Sequence, residues 1–231
     1  MRVGAIIFSR FSSHRLPGKA LIDIRGRELL GRVIDRSKFI KNIDEIIVAT
    51  SSEIEDDIIA EYVKKENIQI FRGSLNNVAQ RALNASIFFQ LDSFVRICGD
   101  RPYFDPDLVT ELVAIQRDLD KDLITTTFPR TYPPGLTVEI IKVDALKRAI
   151  ESMQSDDKEH VTKYFYNHYE DFSLKNIDAP ENYDFGDINL CLDTEDDLKK
   201  IEWIASDLNE KENDYARMSH LIKSAKRWRG S

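Results

Sequence analysis

From Val3 to Cys98 the chain alternates short apolar runs with segments of helical period, and that rhythm leaves few folds open. Val3 to Ser9 is a continuous apolar run, as expected of a strand covered on both faces. Leu29, Leu30, Val33, Ile34 and Ser37 then recur at helical spacing, and Glu45 to Thr50 reads as a second strand. Ser52 is placed to cap a helix whose inner stripe is Ile54, Ile58, Ile59, Tyr62 and Val63. A short strand at Ile68 to Phe71, a helix at Val78 to Phe89 and a strand at Phe94 to Cys98 continue the pattern. Strands and helices in alternation, joined by short connections, predict an α/β fold with a mostly parallel central sheet and helices on both faces.

Beyond Asp107 the rhythm loosens. Leu108 to Leu119 reads as a helix and Leu123 to Phe128 as a strand, and a Pro-rich turn, Pro129 to Gly135, leads to another strand at Leu136 to Ile141. Val143 to Met153 and Glu159 to His168 look helical, Phe172 to Ile177 and Ile188 to Leu192 look extended, and a last long helix runs from Thr194 to about Asn209. The 231 residues suit one domain, 1–231, with a small inserted lobe at about 129–179. Lys223 to Arg229 reads as a solvated helix end rather than a nucleic-acid arm.

A net charge of −7 opposes nucleic acid and anionic membranes, and it also repels a nucleoside triphosphate. Any phosphate site must therefore be a local cluster of cations. Two cysteines make no disulfide framework, the first residues lack the features of a signal peptide, and no apolar run is long enough to span a bilayer. A cytoplasmic protein without membrane insertion is the expectation.

The loop Arg10-Phe11-Ser12-Ser13-His14-Arg15-Leu16-Pro17-Gly18-Lys19 follows the first strand. Ligands of parallel sheets collect beyond the carboxyl ends of strands. Arg10, Arg15 and Lys19, with the hydroxyls of Ser12 and Ser13, suit a polyphosphate, since Arg offers a planar fork and Lys a point charge. The loop lacks the spacing of a Walker loop or a Rossmann fingerprint, and a solvated basic turn is the alternative. Asp100, in Cys98-Gly99-Asp100-Arg101-Pro102, and Asp193, in Leu190-Cys191-Leu192-Asp193-Thr194, each follow an extended run. Two such carboxylates can hold Mg2+ against phosphate oxygens, although Asp193 serves equally well as a helix cap or first-turn acid. Cys98 and Cys191 each precede one of these acids by two residues, which predicts two reduced, buried thiols close together under the site. A third cluster, Arg130, Tyr132, Glu139, His160 and Lys163, has the donors to recognise a sugar acid. Singly, each of these five can be a surface or structural group, with Arg130 and Lys163 paired to Asp156, Asp157 or Glu159. His14 and His168 are read as surface residues. Four histidines and two scattered cysteines form no zinc pattern.

Ser13-His14-Arg15-Leu16-Pro17-Gly18-Lys19, then Glu45 to Thr50, Val95 to Pro102, Glu159-His160-Val161-Thr162 and Leu192 to Asp197, resemble in order the cytidylyltransferase family. That family includes CMP-Kdo and CMP-sialic acid synthetases, and the likeness is nearest to its spore coat polysaccharide biosynthesis protein F group. The resemblance implies a GT-A-like, Rossmann-like three-layer nucleotidyltransferase fold that uses CTP and Mg2+, and it implies a homodimer. By position, Arg10, Arg15 and Lys19 match triphosphate-binding cations, with Lys19, Arg15 and Asp100 in the catalytic role, and Asp100 and Asp193 match metal ligands. Backbone near Ala5 and Ile7, with Thr50, Ser51 and Arg81, is implied to lie near cytosine and ribose, and Arg130, Tyr132, Glu139 and His160 to face the acceptor. Where the group usually carries Gln, Ala, Met, Gly and Ser, this chain has Phe8, Ser9, Phe11, Ser12 and His14. A side chain at Ser12 restricts positive φ, so a reshaped loop is expected.

The implied reaction is direct displacement by a sugar hydroxyl at the α-phosphorus of CTP, with pyrophosphate leaving, in cell-surface polysaccharide or glycan synthesis. Two rivals stand beside it. A glycosyltransferase on the same kind of sheet would need an Asp-x-Asp triplet after Cys98, which is missing. A non-catalytic nucleotide-sensing or scaffold protein is the other.

Overall fold

The computed structural model describes residues 1–13, 15–181, 183, 185–208, 215–228 and 230. In chain order, β1 (Val3–Phe8) leads through a 3-10 turn (Lys19–Leu21) to the short hairpin β2 (Asp23–Ile24) and β3 (Arg27–Glu28), then α1 (Leu29–Ser37). Next come β4 (Glu45–Ser51), α2 (Asp57–Lys65), β5 (Gln69–Gly73), α3 (Val78–Phe88), β6 (Ser93–Cys98) and α4 (Pro106–Leu119). The remainder is β7 (Leu123–Thr125), β8 (Glu139–Lys142), α5 (Val143–Ala149), α6 (Ser155–Glu159), α7 (Lys163–Asn167), β9 (Leu174–Asn176), α8 (Glu195–Leu208) and α9 (Met218–Arg227).

Seven strands form one sheet in the order β5-β4-β1-β6-β8-β7-β9. β5, β4, β1 and β6 run parallel, β8 is antiparallel to both β6 and β7, and β9 pairs parallel with β7. Alternation along β1 explains its unbroken apolar run: Val3, Ala5 and Ile7 enter one core, while Ile6 enters the other. The first core is closed by α1, α2, α4, α8 and α9, and the second by α3, α5 and α7. The mostly parallel three-layer α/β arrangement is the one the sequence rhythm predicts. The segment 129–179 contributes β8 and β9 to the main sheet, and its α5 and α6 lie against α3. No helix among the described residues is long and apolar enough to cross a membrane.

Three expectations need correction. Ser52 does not cap α2: a 3-10 turn (Ile54–Asp56) comes first and shifts the phase of the stripe. Ile59 and Val63 are buried, whereas Ile54 is 77% and Ile58 46% exposed. The stretch Glu159 to His168 is not one helix; α6 ends at Glu159 and α7 begins at Lys163. Ile188 to Leu192 is not a strand. It is held by single backbone bonds, Leu190 N to Pro134 O and Leu192 N to Asp100 O, both 2.9 Å. Gly135, at φ +94°, permits this packing, because a Cβ there would stand 2.7 Å from the Leu190 backbone. His14, Asn209 and Arg229 lie outside the described residues.

Candidate functional site

The carboxyl ends of β1 and β6 open onto a cavity of about 320 Å³. Arg10, Ser13, Arg15 and Lys19 reach it from the loop after β1, Arg81 from α3, and Arg96, Cys98 and Asp100 from β6 and its end. Glu159, His160 and Asp193 complete the polar wall, and Phe8, Ser9 and Val78 also line it. Five cations, Arg10, Arg15, Lys19, Arg81 and Arg96, thus face three carboxylates, a local positive excess in a chain of net charge −7. Such an excess, walled by protein, favours a polyanion.

Lys19 is the hub. Gly18, at φ +70°, makes the turn that delivers it. Its Nζ donates to Asp193 Oδ1 at 2.8 Å, to Leu192 O at 2.8 Å and to Asp100 Oδ2 at 3.3 Å. Arg15 pairs with the same Asp193 oxygen at 2.9 Å. Asp193 is free for this role because α8 is capped by others. Asp197 accepts from Thr194 N at 3.0 Å, and Thr194 Oγ1 accepts from Asp197 N at 3.2 Å, a reciprocal capping box. The helix-cap alternative for Asp193 is therefore excluded.

The two carboxylates meet one atom, Lys19 Nζ, so they converge on a common point as a metal site requires. Hard oxygen donors of this number suit Mg2+, which binds one or two carboxylates and completes its shell with phosphate oxygens and water. No group of three or more His, Cys, Asp or Glu stands ready to hold an ion among the described residues.

The loop is anchored from below by a residue the sequence reading missed. Asp56 accepts from Phe11 N at 2.7 Å and from Ser51 N at 3.0 Å, tying the loop after β1 to the end of β4. Burial raises its pKa, but the backbone donors outweigh that and hold it below its ordinary value. Arg81 is buried, and burial lowers its guanidinium to about 10. Its Nη1 donates to the carbonyls of Ser74 and Leu75. Ser12 is exposed and is not among the residues of positive φ, so its side chain adds no backbone strain to the loop.

Ala5, Ile7, Thr50 and Ser51 are not among the residues lining the cavity, although Phe8 and Ser9, which follow Ile7, are. The side chains of Ala5 and Ile7 are fully buried and their backbone is inside the β1 ladders, while Thr50 and Ser51 are buried at the end of β4. The third cluster is also dispersed. Of its five residues only His160 lines the cavity. Arg130 is exposed, and Lys163 pairs with Asp156 on the surface. Tyr132 is buried beside Phe185, and burial, then Glu111 and Asp105, push its phenol up to about 12. Glu139 is buried, bound by Arg96 Nη1 at 2.8 Å and by the Tyr166 hydroxyl at 2.5 Å. Burial works to raise its pKa, but Arg96 and Tyr166 keep it below the ordinary value. Arg96 had a signal of its own, as a charge in the middle of the apolar run Phe94 to Cys98.

Both cysteines are free, and both are half-buried rather than buried as expected. Cys98 lines the cavity. Burial pushes the Cys191 thiol up to about 12.

A protein-family model described as cytidylyltransferase matches residues 4–222. An uncharacterized protein of Methanocaldococcus jannaschii is 34% identical over 200 residues, which is 86% of this chain and 81% of its own length. The spore coat polysaccharide biosynthesis protein SpsF of Bacillus subtilis is 29% identical over 203 residues, 85% of this chain and 83% of that one. Among solved structures, a cytidylyltransferase from Leptospira borgpetersenii superposes with a TM-score of 0.88 at 30% identity, covering 98% of this chain and 94% of its own.

Proposed function

Since the chain belongs to the cytidylyltransferase family and is a CTP-dependent nucleotidyltransferase, we propose that it joins CMP to an acidic sugar and releases pyrophosphate, in cell-surface polysaccharide or glycan synthesis. What carries this reading is Lys19, whose ammonium stands between Asp100 and Asp193 in a cavity with an excess of cations. The likeness of its motifs to enzymes that activate sugar acids supports the acceptor class.

In this mechanism the acceptor hydroxyl oxygen attacks the α-phosphorus and its proton passes to solvent. The bond from that phosphorus to the bridging oxygen of the β-phosphate breaks, and pyrophosphate leaves with the electron pair. Arg10, Arg15 and Lys19 hold the triphosphate, each charged hydrogen bond contributing about 1.5–3 kcal/mol. Before substrate arrives, Lys19 keeps the two carboxylates together; with CTP bound it turns to a phosphate oxygen. Asp100 and Asp193 would hold Mg2+, which supplies charge neutralisation on the phosphates and lowers the pKa of the attacking hydroxyl. Positioning and electrostatics carry the rate, with no covalent enzyme intermediate. The two free thiols fit work in the cytoplasm, where CTP is made. The exposed rings of Phe128 and Tyr169, with centroids 5.8 Å apart, support a homodimer contact at the lobe of about 129–179.

The test is a screen of CTP, UTP, ATP and GTP against a panel of sugar acids with Mg2+, read by mass spectrometry. A CMP-linked sugar acid formed from CTP supports the reading. Product from neutral sugars alone would overturn the acceptor class.

A further inference from the structure

Arg96 lies on the face of β6 that also carries Phe94 and Cys98, and it borders the cavity. A guanidinium in such a place is costly unless its donors are paired. One side of the group is paired. Nη1 meets Glu139 Oε2 at 2.8 Å, Glu139 accepts from Tyr166 at 2.5 Å, and the Tyr166 hydroxyl lies 2.8 Å from Thr125 Oγ1. This chain fixes the plane of the guanidinium. The other side is not paired: Nε is buried without a hydrogen-bond partner.

Of the other cavity cations, Arg81 donates to the carbonyls of Ser74 and Leu75 and shares an unpaired buried Nε, and three are committed to the mouth. Arg15 and Lys19 meet Asp193, and Arg10 lies 3.5 Å from Glu159. Arg96 stands within β6, whereas Asp100 lies in the turn beyond the carboxyl end of that strand. The cavity therefore offers two separate places for negative charge, one at the strand ends and one on its floor. The triphosphate takes the first.

We propose that Arg96 reads the acidic group of the acceptor, seating a carboxylate against the cavity side of its guanidinium while Glu139 and Tyr166 hold it in place. This assignment rests on the cavity being the site of CMP transfer. It gives the acid-reading role to a residue of the central sheet rather than to Arg130. Arg is suited to it, because its two parallel donors match a carboxylate bidentately. A neutral acceptor would leave that side unpaired, so the arrangement selects acids over amides.

Arg96→Met alone strands the Glu139 charge, so it is compared with Glu139→Gln and with the double variant Arg96→Met/Glu139→Gln, which is neutral at both positions. The readouts are the thermal midpoint, the CTP dissociation constant, and KM and kcat for a sugar acid and its carboxamide. The double variant is expected to fold and bind CTP within about twofold of the unsubstituted enzyme, while KM for the acid rises on the order of 100-fold. The preference for acid over carboxamide should disappear. Glu139→Gln alone should keep that preference, since Arg96 is still present. A double variant that keeps the preference, or that loses CTP affinity in step with acceptor affinity, overturns the assignment alone. An unsubstituted enzyme that makes no CMP product from any sugar acid overturns the transfer reading and this assignment with it.

Discussion

Lys19 and Asp193 are joined by a 2.8 Å ion contact across 174 residues of sequence. Contacts of this kind are weak on an open surface, but here the lysine side chain is only 15% exposed and has a second carboxylate and a carbonyl as partners. The contact closes the site by linking the loop after β1 to the segment before α8.

Removing that charge should cost nucleotide and spare nucleoside. Lys19→Ala is expected to weaken CTP binding by about 1–3 kcal/mol and leave cytidine binding unchanged, because only the triphosphate meets the ammonium. Titration calorimetry with both ligands measures this. Equal losses for the two would remove Lys19 from the phosphate site.

Asp100→Asn keeps the volume and removes one ligand charge. Lys19 is the one side chain that bonds Asp100 among the described residues, so the fold should hold. Turnover with Mg2+ is expected to fall by more than about 100-fold, with the thermal midpoint almost unmoved. Activity close to that of the unsubstituted enzyme would refute the metal assignment.

Asp56 links pH to stability. Its pKa is lowered in the folded protein, so its contribution is present above the unfolded value of about 3.9 and is lost as pH falls through the folded one. At pH 7, Asp56→Asn should cost about 1–3 kcal/mol, since the carboxylate accepts from both Phe11 N and Ser51 N. Denaturant titrations should show the gap between variant and parent narrowing below about pH 4. A gap that widens on acidification would contradict the sign.

The thiols should respond differently to alkylation. Cys191, pushed up to about 12 by burial, stays protonated at pH 8 and reacts slowly, whereas Cys98 lines the cavity. Iodoacetamide is expected to label Cys98 first and CTP to slow that labelling, as peptide mass spectrometry would reveal. Faster labelling of Cys191 would contradict this order.

The parallel half of the fold was legible because buried strands need unbroken apolar runs, as β1 shows with Ile6 and Ile7 entering opposite cores. The segment from Ile188 to Leu192 is also mostly apolar, though Asn189 interrupts it, and it is held by two isolated backbone bonds to Pro134 and Asp100, neither of which local pattern encodes. At the mouth, Lys19, Asp100 and Asp193 were legible as charges next to extended runs, and the structure brings them together. The acceptor cluster was not legible. Arg130, Tyr132 and Lys163 have suitable chemistry, but long-range packing sends them to the surface or the core. Asp56 was missed because its partners are backbone N–H groups, which carry no sequence signature.

Transfer of CMP with release of pyrophosphate at the Lys19–Asp100–Asp193 site can be followed by phosphorus NMR of the enzyme with CTP, Mg2+ and a sugar acid. The three CTP signals should disappear while a phosphodiester signal and pyrophosphate rise one for one. Release of inorganic phosphate with CDP, or intact CTP beside folded protein with every sugar acid tried, would contradict it.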